Sequence, residues 1–153
     1  MKSRILFCGL MLAVFFMSAS AQDKAAMDEM MKKWMEMASP GEAHKKLGDF
    51  VGTWETTSTM WMEGPDKNPT VTKGTCETKW VLDGRFIIDD FKGEMMGKPF
   101  LGIGLTGYDN LKKKYVGFWA DNSSTAMYMM EGNFDQSGKV LTLWGKADDM
   151  MTG

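Results

Sequence analysis

His44 is the single histidine of the chain, and this limits the chemistry available. A nucleophilic triad and a zinc centre both set an imidazole among partner side chains. A haem barrel needs an axial ligand that reaches its interior. His44 shares a helical face with Leu47 and Val51, ahead of the first strand, which suits a packed or capping residue. Asp89-Asp90 and Asp148-Asp149 are paired carboxylates, but neighbours in an extended chain point to opposite faces, so neither pair is an acid–base dyad. Cys76 has no partner once an N-terminal segment carrying Cys8 is removed, and a lone cysteine packs as a small apolar residue. No recognisable catalytic constellation is present, so an enzyme is the less favoured class, and no cofactor site is expected.

Gly102-Ile103-Gly104-Leu105-Thr106-Gly107 matches the dinucleotide fingerprint G-x-G-x-x-G letter for letter. That fingerprint works only between a strand and a helix whose N-terminus meets the pyrophosphate. Here Tyr108-Asp109-Asn110 turns the chain into another strand. The glycines are better explained by a curved barrel strand in which Gly102 and Gly104 share a face and make room for bulky neighbours. Methionine is the other oddity, at 17 residues. Thioether sulfur suits Cu(I), and Met30, Met31, Met35 and Met37 could supply it. The remaining methionines, among them Met60, Met62, Met95, Met96, Met127, Met129, Met130, Met150 and Met151, are spread along the chain. A metal site would concentrate them, so they read as helix formers and adaptable packing residues, with no metal. Lys112-Lys113-Lys114 is a solvated hairpin tip, and the Asn122-Ser123-Ser124 sequon falls at a turn.

Aromatic and apolar residues at alternating spacing carry the binding expectation. Trp54, Thr56, Ser58, Met60 and Met62 share a face, as do Cys76, Thr78, Trp80 and Leu82, Phe86 with Ile88, and Val116 with Phe118. Faces like these either fill a small barrel or line its cavity. Trp54, Met60, Trp80, Phe86 and Phe118 are the candidate lining residues for a small apolar or amphipathic ligand.

These residues need elements to position them. Met27, Met30, Met31, Trp34 and Ala38 recur at helical spacing opposite Asp28, Glu29, Lys32, Lys33 and Glu36. Ser39 and Glu42 have capping-box spacing around Pro40, which predicts a second, short helix ending near Gly48 or Gly52. Residues 22–51 thus form an N-terminal helical segment. From Gly52 the period becomes two, with turn signals at Gly64-Pro65-Asp66, Asp83-Gly84, Gly97-Lys98-Pro99, Asp109-Asn110, Asn122-Ser123-Ser124 and Gln136-Ser137-Gly138. They separate strands near 53–62, 72–82, 85–93, 100–108, 114–121, 126–134 and 139–147. Asp83-Gly84 is the sharpest signal for a type I′ turn. The fold expected for residues 52–153 is mainly β, an up-and-down antiparallel meander closed into a barrel or left as a curved half-barrel.

Residues 1–21 read as a cleavable signal peptide, with Lys2 and Arg4, an apolar run from Ile5 to Met17, and Ala19-Ser20-Ala21 before Gln22. The run is too short to span a membrane, which takes ~20 residues, so the mature protein is expected to be exported, periplasmic or secreted, and not an integral membrane protein. Without this segment the basic residues fall from 18 to 16 against 20 acidic ones, a net charge near −4, which disfavours nucleic acid as a partner.

Phe50-Val51-Gly52-Thr53-Trp54 resembles the G-x-W opening of lipocalin and fatty-acid-binding barrels, where a helical turn leads into the first strand and the Trp plugs the barrel base. A wider likeness runs through Pro40-Gly41-Glu42-x-His44-Lys45, Lys79-Trp80-Val81-Leu82-Asp83-Gly84-Arg85-Phe86, Gly102-Ile103-Gly104-x-Thr106-Gly107-Tyr108-Asp109-Asn110 and Lys114-Tyr115-Val116. These stretches resemble the bacterial family called domain of unknown function 1579, whose members are often exported and lipocalin-like. The resemblance implies the fold and no activity. It also implies further strands beyond Thr152-Gly153, so the chain is expected to be C-terminally truncated. On that expectation residues 22–153 alone expose Val140-Leu141-Thr142-Leu143-Trp144 as an uncharged edge prone to association. The alternative function is a solid scaffold whose Met-rich helix docks a partner or a second copy.

Overall fold

The computed structural model describes residues 22–61 and 64–148. The readings that fall on the signal segment 1–21, on Met62, and on Asp149, Met150, Met151, Thr152 and Gly153 lie outside the described residues. The chain divides into two compact units, 1–39 and 40–153.

In the first unit residues 22–38 form helix α1. Glu29 and Lys33 pair at 2.7 Å across one turn, with the acid on the N-terminal side where it also favours the helix dipole. The helix ends at Ser39, whose backbone N–H and hydroxyl both donate to the Met35 carbonyl, at 3.0 and 2.7 Å. Ser39 therefore closes α1 and does not form a capping box with Glu42. Taken by itself, α1 leaves Met27, Met30, Met31 and Trp34 uncovered.

The second unit begins with one turn of helix, α2 (Glu42–Lys45), continued by a 3₁₀ turn, Lys46–Phe50. The cap of α2 is Gly41, and the group that satisfies it is His44: the Gly41 N–H donates to His44 Nδ1 at 3.0 Å. Glu42 pairs with Lys45 instead, at 2.6 Å.

Seven strands follow: β1 (Gly52–Met60), β2 (Thr70–Val81), β3 (Phe86–Met95), β4 (Lys98–Asp109), β5 (Lys114–Asp121), β6 (Met127–Phe134) and β7 (Leu141–Gly145). Each pairs antiparallel with the next in the order β1 to β7, giving one curled half-barrel. All seven lie where turn residues and period-two alternation place them, because every connection is short enough to leave only the neighbouring strand within reach.

The turns differ in detail. Val81 pairs with Phe86, so Leu82-Asp83-Gly84-Arg85 is a four-residue loop with positive φ at Leu82, Asp83 and Gly84. Leu82 is thus an exposed loop residue and not a strand residue facing inward. The two-residue turn with positive φ at both centres is Met96-Gly97, at 53° and 74°, between the paired Met95 and Lys98. At the β5–β6 turn the Asn122 side chain accepts from the Leu101 N–H at 2.9 Å and donates to the Pro99 carbonyl at 3.1 Å. The sequon asparagine is a clamp on the start of β4.

The core is small and lies at one end of the half-barrel. Leu47, Ile87 and Tyr115 are buried, flanked by Ala43, Tyr108, Phe134, Leu141 and Leu143. Tyr115 donates its hydroxyl to the Ala43 carbonyl at 2.8 Å, tying α2 to β5. Rings run on from there: His44 to Tyr108 at 5.7 Å, Tyr108 to Tyr115 at 4.9 Å, Tyr115 to Phe134 at 5.1 Å and Phe134 to Phe50 at 6.4 Å. The helical turns are a plug over this end of the sheet.

Candidate functional site

Register fixes which side chains face the concave side. Cross-strand partners share a face, and one row reads Trp54, Cys76, Phe91, Gly102, Asp121. The next reads Thr78, Asp89, Gly104, Trp119, and the next Trp80, Ile87, Thr106, Gly117. The glycines of β4 do what their spacing predicts. The Trp119 ring lies where a side chain on Gly102 would project, held there by a 2.8 Å hydrogen bond from Nε1 to Asp121. Asp89 occupies the corresponding space over Gly104, with Oδ2 2.8 Å from the position of an added Cβ.

Beside the plug these rows form a trough with a cavity of about 670 Å³. Leu47, Phe50, Trp54, Ile87, Leu141 and Leu143 supply its apolar lining. Thr56, Thr78, Thr106, Cys76 and Asp89 supply the polar part, with exposed Asp49 at the margin. Trp54 is positioned from both sides. Gly52, at φ 149°, takes a conformation few other residues adopt. The indole N–H donates to the Phe50 carbonyl at 2.8 Å, capping the end of the 3₁₀ turn. Trp54 remains 48% exposed and lines the trough.

The polar residues form a directed chain. Thr78 Oγ1 donates to Asp89 Oδ1 at 2.6 Å, and Cys76 Sγ lies 3.8 Å from Thr78 Oγ1. Burial pushes the Cys76 thiol up from its ordinary value, partly opposed by the Thr78 contact and reinforced by Asp89 and Asp90. His44, on the inner side of the plug, is held below the ordinary 6.5 by burial, partly offset by a hydrogen bond with the Tyr108 backbone; Arg85 lowers it further. Among the described residues no three His, Cys, Asp or Glu side chains gather to hold a metal ion.

The five candidate lining residues do not all meet. Trp54 lines the trough. Met60 lines a smaller hollow of about 160 Å³ toward the other end of the same face, with Ser58, Phe91 and Phe100. Trp80 shares the face but lies by Gly48 of the 3₁₀ turn, outside the cavity lining. Phe86 and Phe118 are on the convex side. Phe86 pairs with Val81 and Gly107, and its ring covers Gly107; Phe118 pairs with Leu105 and Met129. The strand Phe86-Ile87-Ile88 is apolar on both parities, as is Val116-x-Phe118 beside Tyr115-x-Gly117-x-Trp119, so alternation alone does not select a face. The signal that does is the pair Gly102 and Gly104: large residues opposite small ones put Phe91 and Asp89 on the concave side, and Ile87 with them. Asp89, Leu47, Phe50, Leu141 and Leu143 are the site residues that alternation missed, while Thr78 lies on the face it shares with Cys76 and Trp80.

A family model described as "Protein of unknown function (DUF1579)" matches residues 39–153. No curated protein and no solved structure matches the chain.

Proposed function

Because the chain belongs to the DUF1579 family, whose description assigns no activity, we propose from its geometry that it binds a small apolar or amphipathic molecule in the trough of its half-barrel. The observation that carries this is the lined cavity of about 670 Å³, within the ~300–1,000 Å³ of small-molecule sites and of the usual make-up, mostly apolar with a few convergent polar groups. Trp54 in its wall is a built-in reporter. Titrating the full chain with a hydrophobic dye and following tryptophan emission should give saturable quenching that Trp54→Phe diminishes. Absence of any saturable change would overturn the reading.

The reading extends to location. The signal-like segment 1–21 supports export to a periplasmic or external compartment, and a mature N-terminus at Gln22, read by mass spectrometry of the exported product, tests it. Among the described residues no helix is long and apolar enough to cross a membrane.

A second reading rests on α1. Its stripe of Met27, Met30, Met31 and Trp34 is the kind of adaptable surface that associates with another copy of the chain. Deleting residues 22–38 should then lower the molar mass seen by light scattering and leave the sheet's circular dichroism unchanged. An unchanged mass would exclude this role.

A further inference from the structure

The hydrogen-bond chain in the trough has a direction. Thr78 is buried, and it spends its one hydroxyl proton on Asp89 Oδ1 at 2.6 Å. Its oxygen is then an acceptor, so the 3.8 Å contact with Cys76 runs from the thiol to Thr78. Both protons of the chain point toward Asp89. A carboxylate offers about four acceptor positions, and among the described residues Thr78 is the only hydrogen-bond partner of this one and no cation pairs with it. None of the trough's lining residues is Lys, Arg or His. The nearby Lys46 is engaged elsewhere, its ammonium 5.2 Å over the Phe134 ring. Asp89 is half-buried beside the apolar lining, and the hydroxyls of Thr56 and Thr106, the donors left in the trough, bring no positive charge to it.

We infer that the ligand of this trough is an organic cation with an apolar tail, an alkylammonium in class, whose N–H donors sit on Asp89 while the tail lies along Leu47, Phe50, Trp54 and Ile87. This rests on the binding role proposed above and narrows it. Fatty acids and other anionic amphiphiles are disfavoured, since their carboxylate would meet Asp89, with Asp49 at the margin, and no positive charge. Alcohols occupy the middle, able to donate one bond but bringing no charge.

The test compares three ligands of equal chain length, decylammonium, decanol and decanoate, each kept below its self-association concentration at neutral pH. Binding to the full chain is read from tryptophan emission. Decylammonium should bind at least about tenfold more tightly than decanoate, with decanol between them. In Asp89→Asn the advantage of the amine over decanol should fall to within about twofold, with decanol affinity unchanged. Should that variant fail to fold, the amine-to-acid ratio on the unaltered chain decides. Decanoate binding as tightly as the amine, or an amine preference that survives in folded Asp89→Asn, would overturn the inference. If decanol binds and the amine binds no better, the cationic head is wrong and the binding role stands. If none of the three binds, both fall.

Discussion

The two ends of the concave face are built from the same strands and the same alternation, yet they differ in what covers them. Where the plug meets the sheet, Leu47, Ile87, Tyr115 and His44 are all no more than 4% exposed. A few residues along the same face Trp54 stands 48% exposed above Thr56, Thr78 and Asp89. The helical turns from Glu42 to Phe50 make the difference. They bring Leu47 and Ala43 down onto one end and leave the rest of the trough open. Among the described residues the helical turns cover only one end of the apolar inner face, and packing there is the part expected to carry stability.

The largest effect should come from the plug itself. Leu47 is fully buried and packs against Ile87 and Tyr115. Leu47→Ala should cost ~2–5 kcal/mol, read as a shift of the urea midpoint with unchanged slope. A loss well under that range would mean that the plug is an ornament and that the sheet stands without it. The second expected effect is smaller. Tyr115→Phe keeps the ring contacts with Tyr108 and Phe134 but removes the hydroxyl that ties β5 to the Ala43 carbonyl. The expected cost is about 1 kcal/mol, by the same measurement.

The plug also gives the protein a pH response whose sign can be worked out. His44 is buried, its Nδ1 accepts the Gly41 N–H, and its folded-state pKa lies below the ordinary 6.5 because burial disfavours the imidazolium. The unfolded chain takes up the proton first, so stability is full above 6.5 and falls as pH drops through the folded value. Asp109, Asp121, Glu131 and Asp135 are also depressed, by hydrogen bonds from Lys112, Ser123, Lys114 and Ser137 respectively as the leading cause. Their contribution is lost only as pH falls below the ordinary 3.8 to 4.5. Thermal melting should therefore show a first decline as pH falls below the ordinary 6.5 that His44→Gln abolishes, and a second, below the ordinary carboxylate range, that the variant keeps. A decline unchanged in His44→Gln would place its origin elsewhere.

Strand number, order and position were legible in the sequence because short turns leave the chain few pairings, and period two is a local signal. His44 as a capping or packed residue, and Gly102 and Gly104 as space for larger neighbours, were legible for similar reasons. Which face is concave was legible only in part. Phe86-Ile87-Ile88 carries apolar side chains on both parities, and a face is decided by what lies across the sheet, three or four strands away. Asp89 is invisible to alternation, since it is an acid beside another acid, and only the small residue opposite it, Gly104, reveals that it points inward. Ser39 looked like a helix start and is a helix end, because a hydroxyl can accept from an N–H ahead of it or donate to a carbonyl behind it, and Pro40-Gly41 moves the start of α2 two residues on.

The smallest effect on stability should come from the residue most important to the proposed ligand. Asp89→Asn keeps an oxygen where Thr78 donates, so the buried hydroxyl retains its acceptor. It removes a charge that no cation among the described residues pairs with and to which Thr78 donates one hydrogen bond. A neutral hydrogen bond replaces a charge-assisted one at a half-buried position, so the change should stay within ~0.5 kcal/mol by the same urea titration. This is the sharpest form of the contrast between the ends. Where the plug meets the sheet, Leu47 is packed against Ile87 and Tyr115, and Leu47→Ala should be felt throughout. In the trough a charged group can be replaced at almost no cost to the free protein, because the fold does not depend on it. A loss as large as that of Leu47→Ala would show that Asp89 belongs to the core after all, and that the trough is part of the structure and not a place kept open within it.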